Sequence, residues 1–327
     1  MKIVFMGTPD FAKESLEAVY NAGHEILAVV TNPDKPKGRG MKMIPSPVKE
    51  FAVEKNLPIF QPVKVRDNEE FINEIKRLNP DLFCVVAYGK ILPVDILNIP
   101  KYGSINVHGS LLPKYRGAAP IQRAVIDGEK ITGVTTMFMD VGMDTGDMIL
   151  KEETEIGEDE TTGELWNRLS TIGAQLLVKT VAKIEETVAS GKISSVSELK
   201  EQLGVEKQGD DFTVAPMLDK EMSFIDWNKS AQELHNLIRG LNPIMGCVSF
   251  YDGKKIKVWK SKVIKDVDCE GKKNGEIIKA DKGGVYVKTS EGVLSLLELQ
   301  PENSKRMDYK SFLNGNHIEV GKILKMA

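Results

Sequence analysis

The chain has little of what metal and redox chemistry uses: three cysteines and four histidines in 327 residues. Cys84, Cys247 and Cys269 are far apart, odd in number and form no C-x-x-C pair, which argues against a disulfide framework and a zinc site alike. So few histidines make a metal cluster unexpected as well. No apolar run reaches the roughly 18 residues that a membrane span needs, and the first residues enter a strand directly instead of a charged-then-apolar leader. The expectation is a cytoplasmic protein without membrane contact. A dinucleotide cradle is also missing, because Gly7 stands alone with a proline two residues later where G-x-G-x-x-G would be required. No G-x-S-x-G elbow offers a serine nucleophile, and Cys84 lies in the apolar run 82–87, which reads as a buried thiol. Net charge is only −3. From residue 210 onward 19 basic residues face 17 acidic ones, so a nucleic-acid partner can be argued only from local clusters.

What is present is material for two domains. Strands are predicted over 2–6, 25–31, 57–60 and 81–87, with helices over 11–22, 48–55 and 68–78 between them. This alternation implies a Rossmann-like α/β domain with a mostly parallel sheet. A half-buried antiparallel strand over 131–139 and a further strand over 148–153 follow. A capping box at Thr161 and Glu164 then opens a long helix ending near 191. Apolar periodicity lapses over 191–209, which reads as a linker. Beyond it, five short β-rich runs with turn residues between them suggest a small barrel of the OB kind. The division is therefore 1–190, a linker at 191–209, and 210–327.

The chemistry is concentrated in 104–120, SINVHGSLLPKYRGAAP, and 140–147, DVGMDTGD. In a short strand over 104–108, alternation points Asn106 and His108 the same way, and the glycine and proline after them end the strand at its carboxyl end. Open α/β sheets hold their ligands there. Asn106 can donate to a developing oxyanion, as can a protonated His108, and a carboxylate such as Asp144 can support the imidazolium or accept a proton. A set of Asn, His and Asp without a covalent nucleophile suits direct acyl transfer between two bound substrates.

Asn-Val-His-Gly-Ser-Leu-Leu-Pro, the stretch from Arg116 to Gln122, and Asp140-x-Gly-x-Asp-Thr-Gly-Asp together resemble the folate-dependent formyltransferases. The opening Met6-Gly-Thr-Pro-Asp-Phe-Ala, the Gly38-Arg-Gly and Pro45-Ser-Pro-Val-Lys stretches, and Ile238-Arg-Gly-Leu-Asn-Pro extend the resemblance over most of the chain. It implies Asn106, His108 and Asp144 as the catalytic set, with Ser110, Leu111, Leu112 and Pro113 lying along 10-formyltetrahydrofolate as cosubstrate and no tightly bound cofactor. It also implies an OB-like, tRNA-binding second domain. Met217 is a departure, since relatives carry lysine there.

Two basic features bear on the acceptor. Residues 32–45 interrupt the β-α pattern with Lys35, Lys37, Arg39 and Lys42, longer than the roughly 2 to 6 residues usual for such a connection. A solvated loop is one reading; the resemblance implies the other, contact with a tRNA acceptor end through Lys37, Arg39 and Lys42. In the barrel, six lysines occupy 254–265 without an acid. Alternation puts Lys255 and Lys257 opposite Ile256 and Val258, as either a solvated face or a track for tRNA phosphates. Lys90 stands equally well as a folate-side residue or a plain surface charge. The expected reaction is formyl transfer to the methionyl amine of initiator tRNA by a monomer. Small amines or water are rival acceptors sharing the same catalytic set, and an RNA-binding adaptor without catalysis is the rival of another class.

Overall fold

The computed structural model describes residues 1–37, 41–191 and 193–326. The chain packs as two compact units: 1–117, 133–154 and 166–214 form the first, and 118–132, 155–165 and 215–327 the second. Segments 118–132 and 155–165, expected within 1–190, thus group with the later residues. The helix Pro120–Ile126 packs on the helix Ala231–Gly240, where Gly240 allows approach to Ile126.

The first unit is built on a sheet of β1 (Lys2–Gly7), β2 (Glu25–Val30), β5 (Ile59–Phe60), β6 (Leu82–Val86), β7 (Ser104–His108), β8 (Ile131–Phe138) and β9 (Met148–Glu155), in the order β5-β2-β1-β6-β7-β8-β9. β1 pairs in parallel with β2 and β6, and β6 with β7, whereas β8 runs antiparallel to β7. β6 is apolar and buried throughout, and β1 is so after its exposed first residue, Lys2, as strands covered on both faces must be. Helix signals placed the crossovers well. Ser46 accepts from Lys49 N ahead of Pro47, and Asn68 accepts from Phe71 N.

Three elements differ from expectation. Residues 32–45 contain a hairpin, β3 (Lys35–Lys37) paired with β4 (Lys42–Ile44), with β4 fully exposed. Its base is anchored, since Gln61 Nε2 donates to Asn32 O and Asp34 Oδ1, and Asp34 pairs with Lys49 at 2.7 Å. The segment 191–209, expected as linker, holds the helix Val196–Leu203, capped by Ser195 and by a left-handed Gly204, with Leu199 and Leu203 buried. Those two leucines were too few to register as a period. β8 is buried from Thr132 to Phe138 instead of half-buried. Thr135 and Thr136 tolerate burial because they are hydrogen-bonded, Thr136 to Thr180 and Thr135 to the Ser110 carbonyl.

The second unit is antiparallel. β10 (Cys247–Tyr251), β11 (Lys254–Ile264), β12 (Ile277–Asp281), β13 (Gly284–Lys288) and β14 (Val293–Pro301) lie in the order β10-β11-β14-β13-β12, and β15 (Met307–Asp308) pairs with β14. The edge strands are joined by residues 322–325. Lys325 exchanges hydrogen bonds with Phe250 of β10, while Leu324 N donates to Gly275 O and Ile277 N to Lys322 O at the start of β12. This closes a barrel and removes both free edges. Its interior holds Val258, Ile277, Val287, Leu296 and Phe312, under the helix Ala231–Gly240 with its Ser230–Glu233 capping box.

Candidate active site

His108 ends β7 as a nearly buried ring, 6% exposed, with Asn106 two positions earlier and only half-buried. The β7 register sets Asn106 against Val85 on one side and Met137 on the other, and His108 against Thr135. Nε2 of His108 lies 2.9 Å from the Tyr115 carbonyl. A carbonyl can only accept, so Nε2 carries a proton and Nδ1 is the nitrogen left for chemistry. Nδ1 faces Asp144 Oδ2 at 3.6 Å. Both ring nitrogens therefore look onto oxygen acceptors. Among the described residues the Asn106 side-chain amide has no hydrogen-bond partner.

The carboxylate reaches this position by backbone means. Asp144 has φ of 54°, in the left-handed region that aspartate enters more readily than most residues. Its Oδ2 also accepts from Gly117 N at 2.9 Å, where a φ of 125° favours glycine. The neighbouring acids do other work. Asp140 accepts from Gly142 N and Thr145 Oγ1 within the loop, and Asp147 pairs with Lys200 at 2.9 Å. Of the three aspartates in 140–147, Asp144 is the one brought to His108.

The Ser110–Pro113 stretch is partly turned inward. Ser110 and Leu112 are buried, Leu112 against Met137 and Met148, whereas Leu111 and Pro113 are half-exposed. Ser110 O accepts from Thr135 Oγ1 at 2.7 Å, and Leu112 N donates to that hydroxyl at 3.1 Å. Lys90 is tied down, with Nζ donating to the carbonyls of Pro62 and Val63; burial lowers its pKa. Cys84 is fully buried and burial pushes its thiol pKa far up. Among the described residues no three His, Cys, Asp or Glu side chains gather as metal ligands would.

Of the basic residues, Lys42 is exposed on β4, the backbone of Lys37 pairs with it across the hairpin, and Arg39 lies outside the described residues. On β11, Lys255 and Lys257 are half-exposed opposite the buried Ile256 and Val258, as alternation predicted. Lys257 Nζ donates to Met245 O at 2.8 Å, and burial, with Lys255 and Lys220 nearby, lowers its pKa. Trp259 is half-exposed, with Lys257 Nζ 5.4 Å and Arg306 Cζ 4.7 Å from its ring centroid. Sequence reasoning missed Gln208, which binds the Asp144 loop from inside the supposed linker. No periodic signal marks such a residue.

Residues 1–181 match the formyl transferase family model, and residues 217–317 match the model of the formyl transferase C-terminal domain. The chain belongs to the formyl transferase family. As a member it is a formyl-group transferase. It is 49% identical over 326 residues to the methionyl-tRNA formyltransferase of Caldanaerobacter subterraneus subsp. tengcongensis, covering 99% of this chain and 100% of the relative. It is 50% identical over 324 residues to that of Clostridioides difficile, with 99% and 100% covered. Among solved structures it resembles the sugar 3N-formyl transferase WlaRD, determined with dTDP and 5-N-formyl-THF (TM-score 0.62, 18% identity, 93% of this chain and 99% of that one). It also resembles HypX from Aquifex aeolicus in complex with tetrahydrofolic acid (TM-score 0.60, 14% identity, 98% of this chain and 50% of that one). At these identities the structural likeness is one of fold.

Proposed function

We propose that this formyltransferase moves the formyl group of 10-formyltetrahydrofolate onto the α-amine of methionine carried by initiator tRNA. The observation that carries the reading is the constellation at the end of β7: an unengaged Asn106 amide, and His108 with Nδ1 turned to Asp144. Near-50% identity to methionyl-tRNA formyltransferases over the full length supports the acceptor.

In this reading the neutral amine attacks the formyl carbon, forming a C–N bond and a tetrahedral oxyanion. Asn106 and the Nδ1–H of charged His108 donate to that oxygen, and Asp144 stabilises the imidazolium and receives the proton that the amine loses. Collapse of the intermediate breaks the bond to N10 of the folate, which leaves with the proton that Asp144 took from the amine. Each fixed oxyanion donor is typically worth about 3 to 4 kcal/mol. The ester linkage to tRNA lowers the amine's basicity, which supplies the neutral nucleophile near neutral pH.

Leu111 and Pro113 would contact the folate by side chain, with Ser110 and Leu112 shaping the turn from within. Lys37, Arg39 and Lys42 would meet the acceptor end of the tRNA, and Lys255 and Lys257 its backbone, making 210–327 the tRNA-binding part. The protein would act in the cytoplasm as a monomer. The test is formyl transfer from 10-formyltetrahydrofolate to methionylated initiator tRNA, elongator tRNA and glycinamide ribonucleotide. Product on the initiator alone is expected, and product on the small amine alone would replace this reading with its nearest rival.

A further inference from the structure

Asp144 must sit within a fraction of an ångström of a productive position to serve His108, yet it lies in an irregular loop. We infer that Gln208 is the positioning residue for this pair. Its Nε2 donates to the carbonyls of Asp144 and Gly146, both at 2.8 Å, and its Oε1 accepts from Arg116 Nε at 2.8 Å. Chemistry fixes the orientation of this amide. Two carbonyls lie on one side and a guanidinium on the other, so only one of the two flips satisfies all three contacts.

Arg116 stands between the two backbone groups that define the site. The carbonyl of Tyr115 takes the His108 Nε2–H, and the N–H of Gly117 holds Asp144 Oδ2. Gln208 therefore links the segment that anchors the imidazole to the loop that carries the carboxylate. The residues after it reinforce the same segment. Thr213 accepts from Tyr115 N through its hydroxyl at 2.8 Å and from Arg116 N through its carbonyl at 2.9 Å, and the Arg116 guanidinium lies 4.3 Å from the Phe212 ring centroid. Residues 208–214 form a splint along 115–117. Gln208 touches no reacting atom and acts through Asp144; this role rests on the formyl-transfer reading.

The test compares the full-length wild type with Gln208→Ala, Gln208→Asn and Asp144→Ala. Steady-state kinetics with both substrates are measured alongside the imidazole nitrogen resonances of 15N-histidine-labelled protein. Gln208→Ala is expected to lower kcat by about ten- to hundredfold, the scale of a small displacement imposed from outside the chemistry. Both KM values should stay within about twofold, because ground-state binding is untouched. The His108 resonances should move in the direction that Asp144→Ala moves them. Gln208→Asn keeps the amide but withdraws it by one methylene, and carries the same expectations if Gln208→Ala does not fold. An unchanged kcat, a loss confined to KM, or His108 resonances that respond to Asp144→Ala but not to the Gln208 variants would overturn the inference. An inactive wild type would instead remove the formyl-transfer reading, while the resonance comparison, which needs no substrate, would still decide the link.

Discussion

His108 Nδ1 and Asp144 Oδ2 face each other at 3.6 Å, while the other ring nitrogen is committed to the Tyr115 carbonyl at 2.9 Å. The first distance is longer than a hydrogen bond and the second is a good one, so the ring is anchored through Nε2 and left open at Nδ1. Such contacts are often long before substrate binds.

Replacing Asp144 by Asn keeps its shape and removes its charge. The kcat should fall by about 10²- to 10⁴-fold, the usual contribution of a placed proton acceptor. A kcat within a few-fold of wild type would end the role given to this carboxylate.

Asn106→Ala separates catalysis from folding. The amide has no partner among the described residues, so its removal should leave the thermal midpoint nearly unchanged, while kcat drops by about 10²- to 10³-fold for the lost oxyanion donor. Equal losses in both measurements would instead make Asn106 a structural residue.

Gly146 tests the loop from below. A Cβ built there would stand 1.7 Å from the Phe138 carbonyl oxygen, a backbone atom at the end of β8. Gly146→Ala must push the loop away from the strand, and lower activity together with a reduced urea midpoint is expected. Retention of both would show that the close approach is dispensable.

His235 should make stability depend on pH. It is buried, with Nε2 donating to the Glu158 carbonyl and Nδ1 accepting from the Ser261 hydroxyl, so the neutral ring is fully satisfied. Burial lowers its pKa from 6.5, aided by Arg239 and opposed by the largely exposed Asp159 at 3.4 Å. Because the folded pKa lies below the unfolded one, this contribution is fully present above about pH 6.5 and is lost as pH falls through the folded value. Urea midpoints at pH 7.5 and 5.0 should therefore diverge more for wild type than for His235→Gln.

The two strand lysines should behave differently. Lys255 is expected to act through phosphate, so Lys255→Ala should weaken tRNA binding and reduce the slope of log affinity against log salt by about 0.7 to 0.9. Lys257 also holds the Met245 carbonyl, so Lys257→Ala should cost stability as well. Identical salt slopes in wild type and Lys255→Ala would remove that lysine from the interface.

Legibility in the sequence followed how local each signal was. β1 and β6 announced themselves as short apolar runs, and the helix after Ser46 by a cap and a proline. Asn106 and His108 could be placed on one face by alternation alone. The Asp144 contact could not be derived that way, because it depends on a positive φ and a glycine N–H 27 residues away; resemblance supplied it. Gln208 left no trace, since its role lies in three hydrogen bonds to residues 62 to 92 positions distant. The β8 threonines misled for a related reason: a hydroxyl looks polar in a string of letters but is at home in a core once it has found a carbonyl.

Of the three tryptophans, Trp227 is buried with its Nε1 on Ser249, and Trp166 meets Phe11 edge-on. Among the described residues Trp259 is the only tryptophan with cationic groups over its ring. A polyanion that draws Lys257 or Arg306 towards itself must alter the field across that indole. If the barrel takes tRNA as proposed, titrating unlabelled tRNA while recording tryptophan emission, with Trp259→Phe as the silent control, should report that occupancy.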